Sequence, residues 1–138
     1  MKVLVSACLL GNNCKYNGKN NYNEKVFEKF KDDEIIPVCP ECLGGLPTPR
    51  IPSEIVDQKV INKQGIDVTK EFVKGAHLAL DIALSNKVDV AILQSRSPSC
   101  GVKEVYDGTF SGTKKKGQGI FTQLLVEHGI KVIDVEDL

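Results

Sequence analysis

Residues 88–101 have the sequence VDVAILQSRSPSCG. The apolar, β-branched run at 88–93 has the length and composition of a buried strand, and it ends at a proline-containing turn that leads to Cys100. Two other apolar runs end in the same way, since residues 3–7 lead into Cys8 and residues 35–38 lead into Cys39. The sequence therefore predicts three strands that bring three thiols to one edge of a sheet. In open α/β sheets, ligands bind beyond the carboxyl ends of the strands, which is where these thiols are expected.

The rest of the pattern predicts a single three-layer α/β domain over residues 1–138, with a small, mostly parallel sheet and a minor β-hairpin. Because a helical stretch separates the first two strands, a parallel right-handed crossover is expected between them. The predicted strands are 2–7, 34–38, 88–93 and 130–135. The predicted helices are 24–31, one capped by Thr69 that ends near Asn86, and one that starts at Ile120 and ends at Gly129.

Three segments are expected to differ from this regular pattern. Four prolines in residues 40–52 predict an ordered loop over the thiol edge with no regular element. Residues 55–68 predict a hairpin that turns at 62–65. Residues 106–119 are glycine-rich and are expected to be irregular, with the lysines at 114–116 in a solvated loop. One apolar stripe is expected on the long helix, formed by Phe72, Val73, Ala76, Leu80, Ala83 and Leu84.

Charge and composition exclude several classes of partner. The 18 basic residues balance the 18 acidic ones, so we expect no DNA or membrane partner, and a whole tRNA is a less suitable substrate than a small molecule. The apolar run before Cys8 is too short for a lipoprotein signal, and no run approaches the ~20 apolar residues of a membrane span. We therefore expect a cytoplasmic protein, in which five cysteines indicate metal ligands or catalytic thiols.

The thiols allow several chemistries. Buried free cysteines can act as small hydrophobes, but each of these three follows a strand and enters a turn. Four thiolates would form a closed zinc site in a non-catalytic binding module, with Cys14 or Cys42 as the fourth ligand. Three thiolates suit an iron–sulfur cluster with one metal corner free for a substrate. A persulfide sulfur carrier that uses Cys42 is a further alternative.

Four motifs together resemble the thiouracil desulfidase (TudS) family nearly end to end. They are Ser6-Ala7-Cys8-Leu9-Leu10-Gly11 with Tyr16 and Gly18, Pro37-Val38-Cys39-Pro40-Glu41 with Gly44-Gly45-Leu46-Pro47-Thr48-Pro49-Arg50, Arg96-Ser97-Pro98-Ser99-Cys100-Gly101, and Tyr106-Asp107-Gly108. The sequence departs from the family pattern at Lys15, Asn17, Gln94 and Gln118, where arginine, aspartate, lysine and aspartate are usual.

The resemblance implies a [4Fe-4S] cluster held by Cys8, Cys39 and Cys100, with no protein ligand on the fourth iron. It implies removal of sulfur from thiolated pyrimidines such as thiouracil or 4-thiouridine monophosphate. Water would then replace the sulfur at the ring carbon, with the open iron binding the thiocarbonyl. The extra thiols of Cys14 and Cys42 are expected to be dispensable, although either could close the open iron.

The resemblance also implies roles for residues beside the ligands. Glu41 is expected to do acid/base work, and Ser97 to orient water or substrate. Arg50 is expected either to bind a substrate phosphate or to pair with a carboxylate. Gly119, at the start of the last helix, is expected to present its backbone N–H to a substrate anion.

Overall fold

The computed structural model describes residues Met1–Leu138 and contains eight strands and four α-helices. The strands are β1 (Lys2–Ser6), β2 (Glu34–Val38), β3 (Ser53–Val56), β4 (Lys59–Asn62), β5 (Val90–Leu93), β6 (Glu104–Tyr106), β7 (Lys114–Lys116) and β8 (Lys131–Asp134). The helices are α1 (Glu24–Lys29), α2 (Pro40–Leu43), α3 (Thr69–Ser85) and α4 (Ile120–Glu127). Two short 3₁₀ helices cover Ala7–Leu10 and Val135–Asp137. None of the helices is long and apolar enough to cross a membrane.

The main sheet has the order β2-β1-β5-β8, and all of its strand pairs are parallel. The predicted small, mostly parallel sheet is therefore confirmed. From β1 the chain first adds β2 on one side, and later adds β5 and β8 on the other. The strand order thus reverses between β1 and β5, and this reversal opens a crevice at the carboxyl ends of these two strands.

Successive residues of the central strands face opposite sides of the sheet, and both sides are buried. Leu4 and Leu93 face the layer formed by α3 and α4, whereas Val5 and Ile92 face the layer that contains α1. The three-layer arrangement is therefore confirmed. The predicted apolar stripe of α3 is wrong at two positions, because Val73 and Leu84 are exposed while Gly75 and Ala79 take buried positions.

The prediction that residues 40–52 hold no regular element is wrong for their first four residues, which form α2. Pro40 is the first residue of this helix, where its fixed φ suits the helix and its missing N–H costs nothing. Cys39 is the N-cap residue. Pro40 therefore starts a helix directly after a candidate ligand, although proline disrupts the interior of a helix.

The predicted hairpin exists as β3 and β4, but its predicted turn is misplaced. The turn is Asp57-Gln58, with φ of 49° and 68°. Positive φ at both central residues suits the twist of a two-residue hairpin, and aspartate is common at the first of them, whereas Gln58 stands where glycine is usual. The segment 62–65 makes the next turn, in which Gly65 N donates to Asn62 O at 2.8 Å.

The prediction that residues 106–119 are irregular is wrong at Tyr106 and at residues 114–116, because β6 and β7 form a second antiparallel hairpin. Its second strand consists of three consecutive lysines that are all exposed. A strand without any apolar residue has no alternation to reveal it.

Helix α2 packs on α3 through two glycines at a very close approach. A Cβ on Gly75 would collide with Pro40 O, and a Cβ on Gly44 would collide with Glu71 O. This contact fixes α2, and with it Cys39 and Glu41, against the long helix. We expect Gly75→Ala to lower the free energy of unfolding by about 1–3 kcal/mol, as overpacking does, in urea unfolding monitored by circular dichroism.

The neighbouring exposed position provides a matched control for this prediction. Lys74→Ala on the same helix is expected to change stability by less than about 0.5 kcal/mol. Equal stability of the Gly75 and Lys74 variants would show that the two helices can separate without cost.

Candidate active site

The structure brings the three predicted thiols to one cavity of about 480 Å³. Cys8 lies in the 3₁₀ helix that directly follows β1, and Cys39 directly follows β2. Cys100 lies in the turn beyond β5 and is buried. Each thiol therefore follows a different strand of the parallel sheet. The cavity opens at the crevice between β1 and β5.

Side-chain and backbone contacts within residues 97–101 hold the Cys100 turn. The hydroxyl oxygen of Ser97 accepts from the N–H groups of Ser99 and Cys100, at 3.1 and 3.0 Å. Ser97 O also accepts from Gly101 N at 2.9 Å. Ser97 therefore orients the peptide N–H of a candidate ligand as well as facing the cavity.

Gly119 lies behind this turn and is not among the residues that line the cavity. A Cβ at this position would collide with the backbone of Ser99. Its N–H already donates to Gly101 O at 2.9 Å, so it is not free for a substrate anion. The structure thus shows Gly119 supporting the Cys100 turn and does not bring it to the cavity.

Hydrogen bonding and burial give the thiols different pKa values. Hydrogen bonding with the neighbouring Cys14 lowers the pKa of Cys8 and lowers that of Cys39 to about 6. The same hydrogen bonds raise the pKa of Cys14. Burial raises the pKa of Cys100 to about 12. Thiolates are the metal-binding form, so ligation by Cys100 requires the loss of a proton that a bound cation would displace.

The carboxylate of Glu41 is the centre of the polar network beside the thiols. Its Oε2 accepts from Ser99 Oγ at 2.8 Å and from Ser97 Oγ at 3.4 Å. Its Oε1 accepts from Arg50 Nε at 3.2 Å, and both side chains of this ion pair are largely buried. An ionised carboxylate only accepts hydrogen bonds, and all of these partners can donate.

Arg50 makes three further hydrogen bonds to the protein. One terminal nitrogen donates to Cys14 O at 2.9 Å. The other donates to Pro47 O and to Thr48 Oγ1, at 3.3 and 3.2 Å. Of the two expectations for Arg50, the structure shows the pair with a carboxylate, and this pair ties Glu41 to the loop that contains Cys14.

Ser99 is not among the expected site residues, although it gives the shortest hydrogen bond to Glu41. This side chain is buried, and its hydroxyl also lies 3.8 Å from Cys100 Sγ. Its position between Ser97 and Cys100 in the chain could have identified it. Asn21, whose amide donates to Cys8 Sγ at 3.5 Å, lies three residues after the end of the first motif and carries no comparable sequence feature.

The two extra thiols occupy different positions. Cys14 lines the cavity beside the thiols of Cys8 and Cys39. Cys42 is exposed and does not line it, and its Sγ lies 3.5 Å from Thr48 Oγ1. Among the departures from the family pattern, Lys15 and Gln94 line the cavity, whereas Asn17 and Gln118 do not.

The donor set fits a polynuclear cluster. All five cysteines are free, and four of them line one cavity, three from strand ends and Cys14 from a loop. A closed zinc site needs four ligands on one ion, whereas each thiolate of an iron–sulfur cluster binds a different iron. Nothing in the arrangement of the thiols favours the zinc alternative over the cluster.

Together, the fold and the site define an α/β domain with a three-thiol cavity at its topological switch point and a carboxylate held beside the thiols. The family model described as 2-thiouracil desulfurase matches residues 3–137. The chain belongs to this family, which confirms the resemblance and the expectation of a desulfurating enzyme.

Individual relatives agree with this assignment. An uncharacterized protein, YbbK of Bacillus subtilis (strain 168), is 38% identical over 146 aligned positions, which cover 99% of this chain and 97% of that protein. A solved structure described as the [4Fe-4S]-dependent thiouracil desulfidase TudS is 40% identical, with a TM-score of 0.93. That match covers 99% of this chain and 92% of the solved one.

Proposed function

We propose that this protein is a [4Fe-4S]-dependent desulfidase that replaces the sulfur of a thiolated pyrimidine with oxygen. The observation that carries the proposal is the joint position of Cys8, Cys39, Cys100 and Glu41 around one cavity. Three thiolates leave one iron of a four-iron cluster without a protein ligand. The similarity to a [4Fe-4S]-dependent thiouracil desulfidase supports both the cofactor and the reaction.

The proposed reaction is a hydrolysis without net electron transfer. Thiouracil and water give uracil and hydrogen sulfide, so the C–S bond breaks, a C–O bond forms, and both protons of water leave with the sulfur. When bound, the cluster supplies an open iron that acts as a Lewis acid toward the thiocarbonyl sulfur. The remaining work, which is activation of water and transfer of its protons, falls to the side chains of the cavity.

Glu41 is the proposed general base and acid. Its Oε2 lies among the hydroxyls of Ser97 and Ser99, so a water that replaces one of these contacts would face both a base and a donor. Arg50 holds the other carboxylate oxygen and so fixes the orientation of the base. Ser97 is proposed to orient water or substrate, since its hydroxyl lies beside Oε2 of this carboxylate.

The proposed substrates are small thiolated pyrimidines, namely thiouracil or 4-thiouridine monophosphate. The cavity is of the size that binds small organic molecules. Lys15 and Lys63 also line it, and their charges suit a substrate that carries a phosphate. The equal numbers of acidic and basic residues favour such a ligand over a whole tRNA.

The decisive experiment measures cofactor and reaction on the same anaerobically reconstituted sample. We expect about four iron and four acid-labile sulfide per chain, as a [4Fe-4S] cluster requires. We also expect release of sulfide and formation of the oxygenated pyrimidine from thiouracil or 4-thiouridine monophosphate, measured by chromatography.

Two outcomes would contradict the proposal. Stoichiometric zinc that resists replacement, with no iron retained, would indicate the zinc-stabilised module. A loaded cluster without sulfide release from either substrate would remove the desulfidase reaction. No contact in the structure favours a persulfide carrier based on Cys42, since that thiol lies outside the cavity.

A further inference from the structure

Phe110 combines an unfavourable backbone conformation with a place on the cavity wall. Its φ is +55°, in the left-handed region that bulky side chains rarely adopt. It lies in the loop between β6 and β7 and lines the same cavity as the three thiols. A non-glycine residue that is held in this conformation needs a reason, and such residues cluster at ligand sites.

The surrounding loop holds Phe110 in this conformation. Glu54 Oε1 accepts from the N–H groups of Gly108 and Phe110, at 3.0 and 3.1 Å. Asp107 Oδ1 accepts from Thr109 N at 3.0 Å and from Thr109 Oγ1 at 2.6 Å. Gly108 packs so closely on β3 that a Cβ would lie 2.8 Å from Ile55 O. The loop is therefore fixed to β3 at Gly108 and at Phe110 itself.

Packing of the protein interior does not account for Phe110. The ring is only partly buried and belongs to neither of the two hydrophobic clusters that flank the main sheet. By contrast, Phe121 is fully buried and belongs to the cluster that packs against α3. The strained backbone thus keeps an apolar ring at the cavity wall, where the ring has little stabilising contact with the hydrophobic core.

We propose that Phe110 is a specificity-determining residue whose ring packs against the face of the substrate pyrimidine. This inference rests on the proposed function and adds to it the residue that selects a flat, aromatic ring. Pyrimidines have a π-face that stacks on aromatic side chains, whatever substituent they carry. Phe110 would therefore orient the ring, while the thiol end of the cavity acts on its sulfur.

The experiment compares Phe110→Ala, Phe110→Gly and Phe110→Tyr in the cluster-loaded enzyme with 2-thiouracil as substrate. Loss of the ring is expected to raise KM about tenfold in the Ala and Gly variants, with kcat within about twofold, because stacking acts in the ground state as well as the transition state. Equilibrium dialysis with uracil, the product, is expected to show the same loss of affinity. Phe110→Tyr retains the π-face and is expected to behave like the wild type.

Thermal unfolding separates this role from a purely structural one. Glycine adopts φ +55° without strain, so Phe110→Gly is expected to unfold at or above the temperature of Phe110→Ala while binding no better. Phe27→Ala is the matched control, because Phe27 stacks on Tyr22 outside the cavity. Its KM is expected to stay at the wild-type value.

Three results would overturn the inference while leaving the desulfidase reaction in place. They are a wild-type KM for Phe110→Ala, wild-type affinity in Phe110→Gly, and a Phe110→Tyr variant as impaired as Phe110→Ala. A wild-type enzyme that carries its cluster but neither binds uracil nor releases sulfide from 2-thiouracil would instead overturn the proposed function and this inference together.

Discussion

Replacement of Glu41 with glutamine is expected to lower kcat for desulfuration by about 10²–10⁴-fold, the range for loss of a general acid–base group. The amide preserves the shape of the side chain, and its oxygen can still accept from Arg50 Nε. Its nitrogen would face the hydroxyls of Ser97 and Ser99, which can accept as well as donate. The fold and the thiols should therefore stay in place, while the group that takes a proton from water is lost.

The measurement pairs turnover with cofactor content. Iron and acid-labile sulfide per chain are expected to equal those of the wild type, because Glu41 is not one of the proposed ligands. Glu28→Gln, at an exposed position of α1, is the matched control and is expected to retain full activity. Full activity of Glu41→Gln would remove this carboxylate from the mechanism, and loss of iron would assign it to the cofactor site.

The thiol edge could be predicted because each of its components is local in sequence. A β-branched run of four to six residues has few alternatives to a buried strand, and a cysteine just beyond it must lie near the strand's end. Parallel pairing then brings separate strand ends to the same edge of the sheet. The positions of Cys8 and Cys39 follow from these steps alone.

The polar network required tertiary information. The contact of Arg50 with Glu41 depends on the segment 40–52, whose prolines and glycines have no periodic pattern. For the same reason, the helix α2 in this segment could not be predicted. The position of Cys14 between two candidate ligands depends on the turn after Leu10 and not on spacing. In the sequence, a glycine before a helix such as Gly119 fits an anion site and a close backbone contact equally well, and only the neighbouring Ser99 backbone distinguishes them.

Alanine at any one of the three proposed ligands is expected to abolish cluster retention. Removal of Cys8, Cys39 or Cys100 leaves two thiolates of the proposed set. The remaining thiol of the cavity, Cys14, does not lie at the end of a strand. Iron and acid-labile sulfide are expected to fall from about four of each per chain to near zero after anaerobic gel filtration. Sulfide release from thiouracil is expected to disappear with them. Thermal unfolding of the cluster-free proteins checks that each variant remains folded.

The extra cysteines provide the controls that make this result specific. Cys42→Ala is expected to retain both cluster and activity, since its exposed thiol lies outside the cavity. Cys14→Ala is the sharper control, because its thiol does line the cavity and contacts those of Cys8 and Cys39. Loss of iron in Cys14→Ala would show that four thiolates close the cluster. That result would leave no open iron for the thiocarbonyl, whereas full retention supports the three-ligand site on which the proposed reaction depends.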